Sequence, residues 1–271
     1  MGSLFPTDKL FVIAGPCVVE DDALNLSIAR ELQRVAHIVP GGIVFKASFD
    51  KANRSARGAP RGPGVEAGIA ALRAVKHATG MRIITDVHLP AQCEGAAEVA
   101  DALQIPAFLC RQTDLLEAAG ATGRAVNIKK GQWLYPEGMR GAVDKVRGAQ
   151  PAPRKSEIAV TERGTFFGYG DLVVDMRSFS RLSAATGCPV VFDATHSVQR
   201  PGLGAGGASG GAREFIPPLA LAAIAAGAQG VFLETHPRPD EAPSDGPNML
   251  PLSELESLLR SMVAVWTAAR R

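Results

Sequence analysis

Phe11-Val12-Ile13-Ala14-Gly15-Pro16-Cys17 is the stretch on which the reading turns: an apolar run of strand length that stops at Gly-Pro and leaves a thiol at its tip. Alone, such a cysteine reads as a small buried hydrophobe. Two later runs change its meaning. Val190-Val191-Phe192-Asp193-Ala194-Thr195-His196 and Gly230-Val231-Phe232-Leu233-Glu234 end in metal-ligand types, and a stiff loop, residues 235–252 with five prolines, offers Asp245. Sulfur, imidazole and two carboxylates form a plausible donor set for a divalent ion.

Working outward, apolar runs of strand length alternate with longer amphipathic segments. Strands are expected at 9–14, 42–47, 81–86, 103–107, 124–129, 157–161, 189–194 and 230–234. Helices are expected at 22–37, 65–79, 90–101, 113–120, 139–148, 174–186, 213–227 and 253–269. Pro90 suits a first turn, Gly80, Gly120 and Gly187 fall where helix ends need positive φ, and Ser253 with Glu256 resembles a capping box. Eight βα units predict one domain over residues 1–271, a (β/α)8 TIM barrel behind a short leader of residues 1–8. An open doubly wound sheet is the alternative. Only barrel closure sets the eighth strand beside the first, so that Cys17, His196 and Glu234 meet at the C-terminal rim, where this fold places its chemistry.

Composition narrows the function classes. In 271 residues, 29 Lys and Arg stand against 27 Asp and Glu, so the net charge of +2 gives no reason to expect nucleic acid or a membrane as partner. Four cysteines without a secretory signal make no disulfide framework and point to the cytoplasm. Residues 215–233 carry no charge, yet Pro217, Pro218, Gly227, Gln229 and Gly230 interrupt them, so they read as a buried helix, a turn and a strand.

Anion sites must then be local. From Lys46 to Arg61 there are five basic residues and one acid; Lys46 sits at a strand tip, Arg54 can fork onto a phosphate, and Ser55 adds a hydroxyl. Asp86, Arg111 with Gln112, Lys129 with Gln132, and Arg163 follow other strands. Inward cations need anions to offset them, which implies substrates bearing phosphate and carboxylate groups. Lys46 and Lys129 also qualify as Schiff-base lysines, although nearby acids favour their remaining charged. A barrel that only binds sugar phosphates is a further alternative.

The remaining candidates are weaker. His236 rivals His196 as a ligand, His88 could line the site, and His37 and His77 fall on helices. Cys93, Cys110 and Cys188 read as core fillers, while Trp133 and Tyr135 could shape a loop at the mouth. Residues 197–212, with six glycines, read either as a lid or as a plain connector.

Gly15-Pro16-Cys17, the run Phe45 to Ser55, Thr85-Asp86-Val87-His88, Ile105 to Asp114, Asn127 to Gln132, Phe192 to His196 and Ser244-Asp245-Gly246-Pro247 together resemble the 3-deoxy-D-manno-octulosonate 8-phosphate synthases over nearly the whole chain. The resemblance implies a barrel, usually homotetrameric, that condenses phosphoenolpyruvate with D-arabinose 5-phosphate in lipopolysaccharide biosynthesis. Related 3-deoxy-D-arabino-heptulosonate 7-phosphate synthases use erythrose 4-phosphate and carry Lys-Pro-Arg-Thr where this chain has Lys51-Ala52-Asn53-Arg54-Ser55. Cys17 places the chain with the metal-dependent members, so Cys17, His196, Glu234 and Asp245 would hold iron, zinc, manganese or cobalt. By the same resemblance Lys46, Lys129 and Arg163, with Gln112 alongside, would hold phosphoenolpyruvate. Lys51, Asn53, Arg54 and Ser55 would bind the sugar phosphate, and Arg111 would reach a neighbouring subunit's site. Ser48, Asp86 and Gln132 complete the expected substrate-binding set, and His196 and Asp245 count with Lys46 and Lys129 as catalytic.

Overall fold

The computed structural model describes residues 2–53, 58–153, 156–200, 202 and 210–270. Eight parallel strands follow one another around a sheet: β1 (Phe11–Gly15), β2 (Ile43–Lys46), β3 (Ile83–Asp86), β4 (Ala102–Ile105), β5 (Ala125–Lys129), β6 (Ile158–Glu162), β7 (Val190–Asp193) and β8 (Gly230–His236). The sheet closes because β8 also pairs with β1, with Phe11 opposite Gly230 and Gly15 opposite Glu234. This is the expected (β/α)8 barrel and excludes the open sheet. Gly15 is needed there, since a Cβ would lie 2.1 Å from the Lys46 carbonyl oxygen.

Helices α1 (Asp22–Val35), α2 (Val65–Thr79), α3 (Cys93–Ala97), α4 (Thr113–Ala121), α5 (Arg140–Ala149), α6 (Ser178–Thr186), α7 (Ile216–Ala225) and α8 (Leu255–Ala269) surround the sheet. Asp21 caps α1 by accepting from Leu24 N at 3.0 Å, and Gly80 and Gly187 end α2 and α6 in left-handed conformation as expected. Gly120 does not end α4: it lies within the helix, where a Cβ would meet the Val146 carbonyl oxygen at 2.4 Å, so its role is close packing on α5. Ser253 forms no capping box, because a short 3-10 turn over Leu252–Glu254 leads into α8. The charge-free run resolves into α7, a turn and β8, and no helix among the described residues is long and apolar enough to cross a membrane.

Side chains alternate along the strands between two cores. Val12, Phe45, Leu103, Val126, Val160 and Leu233 face the helices in one cluster. Ile13, Val44, Ile84, Ala102, Ala125, Ala159, Val191 and Phe232 fill the lumen in another. The expected leader belongs to that lumen: Leu4 and Phe5 are buried in it, and Glu157, just before β6, accepts from both of their backbone N–H groups. Thr165–Gly168 and Asp171–Val173 form an antiparallel hairpin after β6, so α6 starts later than expected, on a turn held by Asp175.

Candidate active site

One step above the apolar lumen, the same inward positions become polar, Lys46, Asp86, Gln104, Asn127, Thr161, Asp193 and Glu234, with Lys129 a further step up its strand, all buried. Lys46 Nζ lies 3.2 Å from both Asp86 Oδ2 and Glu234 Oε1 and donates to the Cys17 carbonyl at 3.1 Å. Lys51 Nζ reaches Glu234 Oε1 at 3.7 Å. Lys129 Nζ pairs with Asp193 Oδ2 at 2.6 Å and sits 3.6 Å over the Phe232 ring. A relay of amides steadies this layer: Gln104 donates to Asp86 at 2.7 Å, Asn127 to Gln104 at 2.9 Å, and Thr161 to Asn127 at 2.8 Å. Ser48 also donates to Asp86.

Charge follows from these partners. Burial opposes ionisation of Asp86, yet Lys46, Lys51 and Lys129 outweigh it and hold the carboxyl well below the ordinary range. Burial likewise opposes the Lys46 ammonium, and Asp86 and Glu234 overcome it, so this lysine is held above its usual value. Lys129 behaves differently: burial dominates and lowers its pKa despite Asp193. The two strand-end lysines are thus shifted in opposite directions, Lys46 up and Lys129 down, while both keep a carboxylate partner.

Cys17 Sγ and one carboxylate oxygen each of Glu234 and Asp245 lie within 4.8 Å of one another. The thiol donates to Asp245 Oδ2 at 3.1 Å, and burial followed by Glu234 pushes its pKa well above the ordinary thiol value. His196 turns Nδ1 toward Asp193 Oδ2 at 2.8 Å and Nε2 toward Glu234 Oε2 at 3.6 Å. A carboxylate behind the first nitrogen fixes the tautomer that leaves Nε2 as a ligand. Glu234 Oε2 is buried without a hydrogen-bond partner among the described residues, so Cys17, Glu234 and Asp245 suit a divalent ion in donor chemistry and spacing, whereas the expected fourth ligand His196 stands beside Glu234 but outside that 4.8 Å group. The rival His236 points elsewhere, with Nε2 3.3 Å from Glu20 Oε1 and Nδ1 accepting from Arg238 N.

A cavity of about 820 Å³ opens over this layer, lined among others by Lys46, Lys51, Asn53, Asp86, His88, Lys129, Gln132, Arg163, His196 and Asp245. Arg163 is buried; its Nη2 donates to the His196 carbonyl at 3.1 Å and to Gln199 Oε1, while Nη1 has no partner among the described residues. Gln132 Oε1 is likewise buried and unpaired among the described residues. Arg111 and Gln112 stand apart: both are exposed at the start of α4 and outside the cavity lining. Arg54 and Ser55 lie outside the described residues, as does most of the glycine-rich stretch.

Sequence reasoning missed Asp193 as the carboxylate behind His196 and Lys129, and Gln199, whose Nε2 donates to Asp245 Oδ1 at 2.9 Å. It also missed Gln104, Asn127 and Thr161. Their signal was present: a polar residue at the third or fourth position of an otherwise apolar strand marks an inward face that changes character.

The sequence profile of the DAHP synthetase I family matches residues 6–270. A protein of Rhodopseudomonas palustris (strain HaA2) named 2-dehydro-3-deoxyphosphooctonate aldolase is 53% identical over 262 residues, covering 97% of this chain and 90% of the relative. A protein of the same name from Syntrophotalea carbinolica is 55% identical over 254 residues, 94% of this chain and 90% of its own. One from Nitrobacter winogradskyi is 53% identical over 255 residues, 94% and 87%. The chain belongs to the DAHP synthetase I family, among the 2-dehydro-3-deoxyphosphooctonate aldolases, another name for the octulosonate synthases.

Proposed function

We propose that this chain condenses phosphoenolpyruvate with D-arabinose 5-phosphate and water to give 3-deoxy-D-manno-octulosonate 8-phosphate and inorganic phosphate. The relatives' name carries the eight-carbon product, which favours this reading over the heptulosonate alternative. The observation that supports the chemistry is one cavity whose walls gather Lys46, Lys51, Lys129 and Arg163, with a guanidinium nitrogen of Arg163 unpaired among the described residues. Such a wall suits two phosphorylated substrates.

In this reading carbon 3 of phosphoenolpyruvate attacks the sugar aldehyde, water adds at carbon 2, and the hemiketal phosphate collapses, phosphate leaving with the C–O electron pair. Lys46 and Arg163 hold the phosphoenolpyruvate anion, and Lys51 and Asn53 face the sugar phosphate, with Arg54 and Ser55 assigned there from the sequence. Lys129 Nζ, with its lowered pKa, is the cation suited to give a proton to the new alkoxide. Cys17, His196, Glu234 and Asp245 would hold a divalent ion, which supplies Lewis acidity toward the sugar carbonyl or a water.

The exposed Arg111 serves a neighbouring subunit's cavity in a homotetramer. Support comes from its place outside its own cavity and from the exposed aromatics Phe108, Trp133 and Tyr135 on adjacent loops. Four free buried cysteines suit a reducing compartment, the cytoplasm.

Phosphate release from phosphoenolpyruvate with arabinose 5-phosphate and, separately, erythrose 4-phosphate tests the reading. Release with the five-carbon sugar alone is expected, lost on chelation and restored by a divalent ion; preference for erythrose 4-phosphate overturns it. Borohydride trapping of a substrate adduct on Lys129, which the 2.6 Å ion pair with Asp193 argues against, would establish the Schiff-base aldolase alternative instead.

A further inference from the structure

Gln199 is claimed by neither the metal set nor the substrate set, yet its amide joins them. Nε2 donates to Asp245 Oδ1 at 2.9 Å, and Oε1 accepts from Arg163 Nη2. Both partners dictate the orientation, since a carboxylate takes only a donor and a guanidinium only an acceptor.

The consequence on each side is selective. Asp245 Oδ1 is occupied by Gln199, while Oδ2 accepts from Cys17 Sγ and from Ser244 Oγ at 2.5 Å, so Oδ2 is the oxygen turned toward the metal set. Asp245 needs such holding, because it is a non-glycine residue at φ 57°. On the other side Nη2 of Arg163 is spent on Gln199 and the His196 carbonyl, which leaves Nη1, buried and without a partner among the described residues, for an anion in the cavity. One amide thus decides which carboxylate oxygen serves a metal and which guanidinium nitrogen serves a substrate.

We infer that Gln199 is a positioning residue that sets Asp245 for a divalent ion and Arg163 for the phosphoenolpyruvate anion, so the two sites share one hydrogen-bonded strut. The inference rests on the function proposed above. Gln199→Met removes both hydrogen bonds, whereas Gln199→Glu keeps an acceptor for Arg163 and sets a like charge against Asp245.

Three quantities are read on each full-length protein: Co2+ affinity by chelator competition without substrate, phosphoenolpyruvate affinity by calorimetry on metal-free protein, and the cobalt absorption spectrum. Gln199→Met is expected to weaken both affinities roughly tenfold, the size typical of losing a partner behind a ligand. Gln199→Glu is expected to split them, with phosphoenolpyruvate binding within about twofold of the parent and an altered cobalt affinity and spectrum, a pattern that general loosening of the loop does not give. Parent-like affinities in Gln199→Met, or identical behaviour of the two variants, would overturn the inference. A parent protein that neither binds phosphoenolpyruvate nor releases phosphate would instead sink the proposed function, so the two failures are distinguishable.

Discussion

The two halves of the barrel lumen are built on the same strands and differ in everything else. Toward the base, Ile13, Val44, Ile84, Val191 and Phe232 pack with Leu4 and Phe5 into an apolar plug. Two residues further along, Lys46, Asp86, Asp193 and Glu234 form a layer of buried charge. Apolar packing gains by excluding water, whereas buried ions gain only when every partner is present. The lower half should therefore tolerate a lost methyl group at a cost in stability alone, and the upper half should lose stability and activity together.

Removing one charge is the harshest break of that contrast. Lys46→Met takes away the ammonium that lies 3.2 Å from both Asp86 and Glu234, and a loss of about 3–5 kcal/mol in denaturant unfolding, with phosphate release abolished, is expected. Ile13→Ala should cost about 2–5 kcal/mol through the cavity it leaves, yet KM for both substrates should remain within about twofold. An Ile13→Ala enzyme that unfolds as expected but has lost substrate affinity would erase the division between the halves.

Proton linkage sharpens the comparison at smaller scale. The folded-state pKa of Asp86 lies below the ordinary 3.8, so its ionised form contributes stability above that pH, and the contribution is lost as pH falls through and below it. Asp86→Asn should flatten the acid limb of a Tm-against-pH curve relative to the parent. The raised pKa of Cys17 has the opposite consequence for metal uptake. Loading must expel the thiol proton, so apparent affinity should rise with pH by up to about tenfold per unit below the thiol pKa. Titrations in buffers of different ionisation enthalpy would count the released proton.

The lower half and the helices around it were the legible part of the sequence. Near-continuous apolar runs such as Phe11 to Ala14 announce strands covered on both faces, and every expected strand and helix is present within a few residues. Strand-end residues were legible for the same reason, since Cys17, Lys46, Lys129, His196 and Glu234 mark where hydrophobic runs stop. Partnerships across the barrel were not. Asp193 sits 2.6 Å from Lys129, 64 positions away, and Gln199 meets Asp245 across 46 positions; only closure and loop geometry bring them together. The hairpin at 165–173 escaped because Phe167 and Tyr169 take positive φ that their residue types do not advertise. Gln112 suffers from adjacency: it follows the fourth strand, but the turn over Ala107–Leu109 intervenes and α4 begins with Gln112 facing outward.

The most direct test of the charged layer as a metal-centred active site is the absorption spectrum of Co2+-loaded protein beside that of Cys17→Ser. The account predicts a thiolate-to-cobalt charge-transfer band and intense d–d bands of a low-coordinate ion in the parent, with the charge-transfer band absent from the variant. Identical spectra in the two proteins would place the metal away from Cys17 and contradict it.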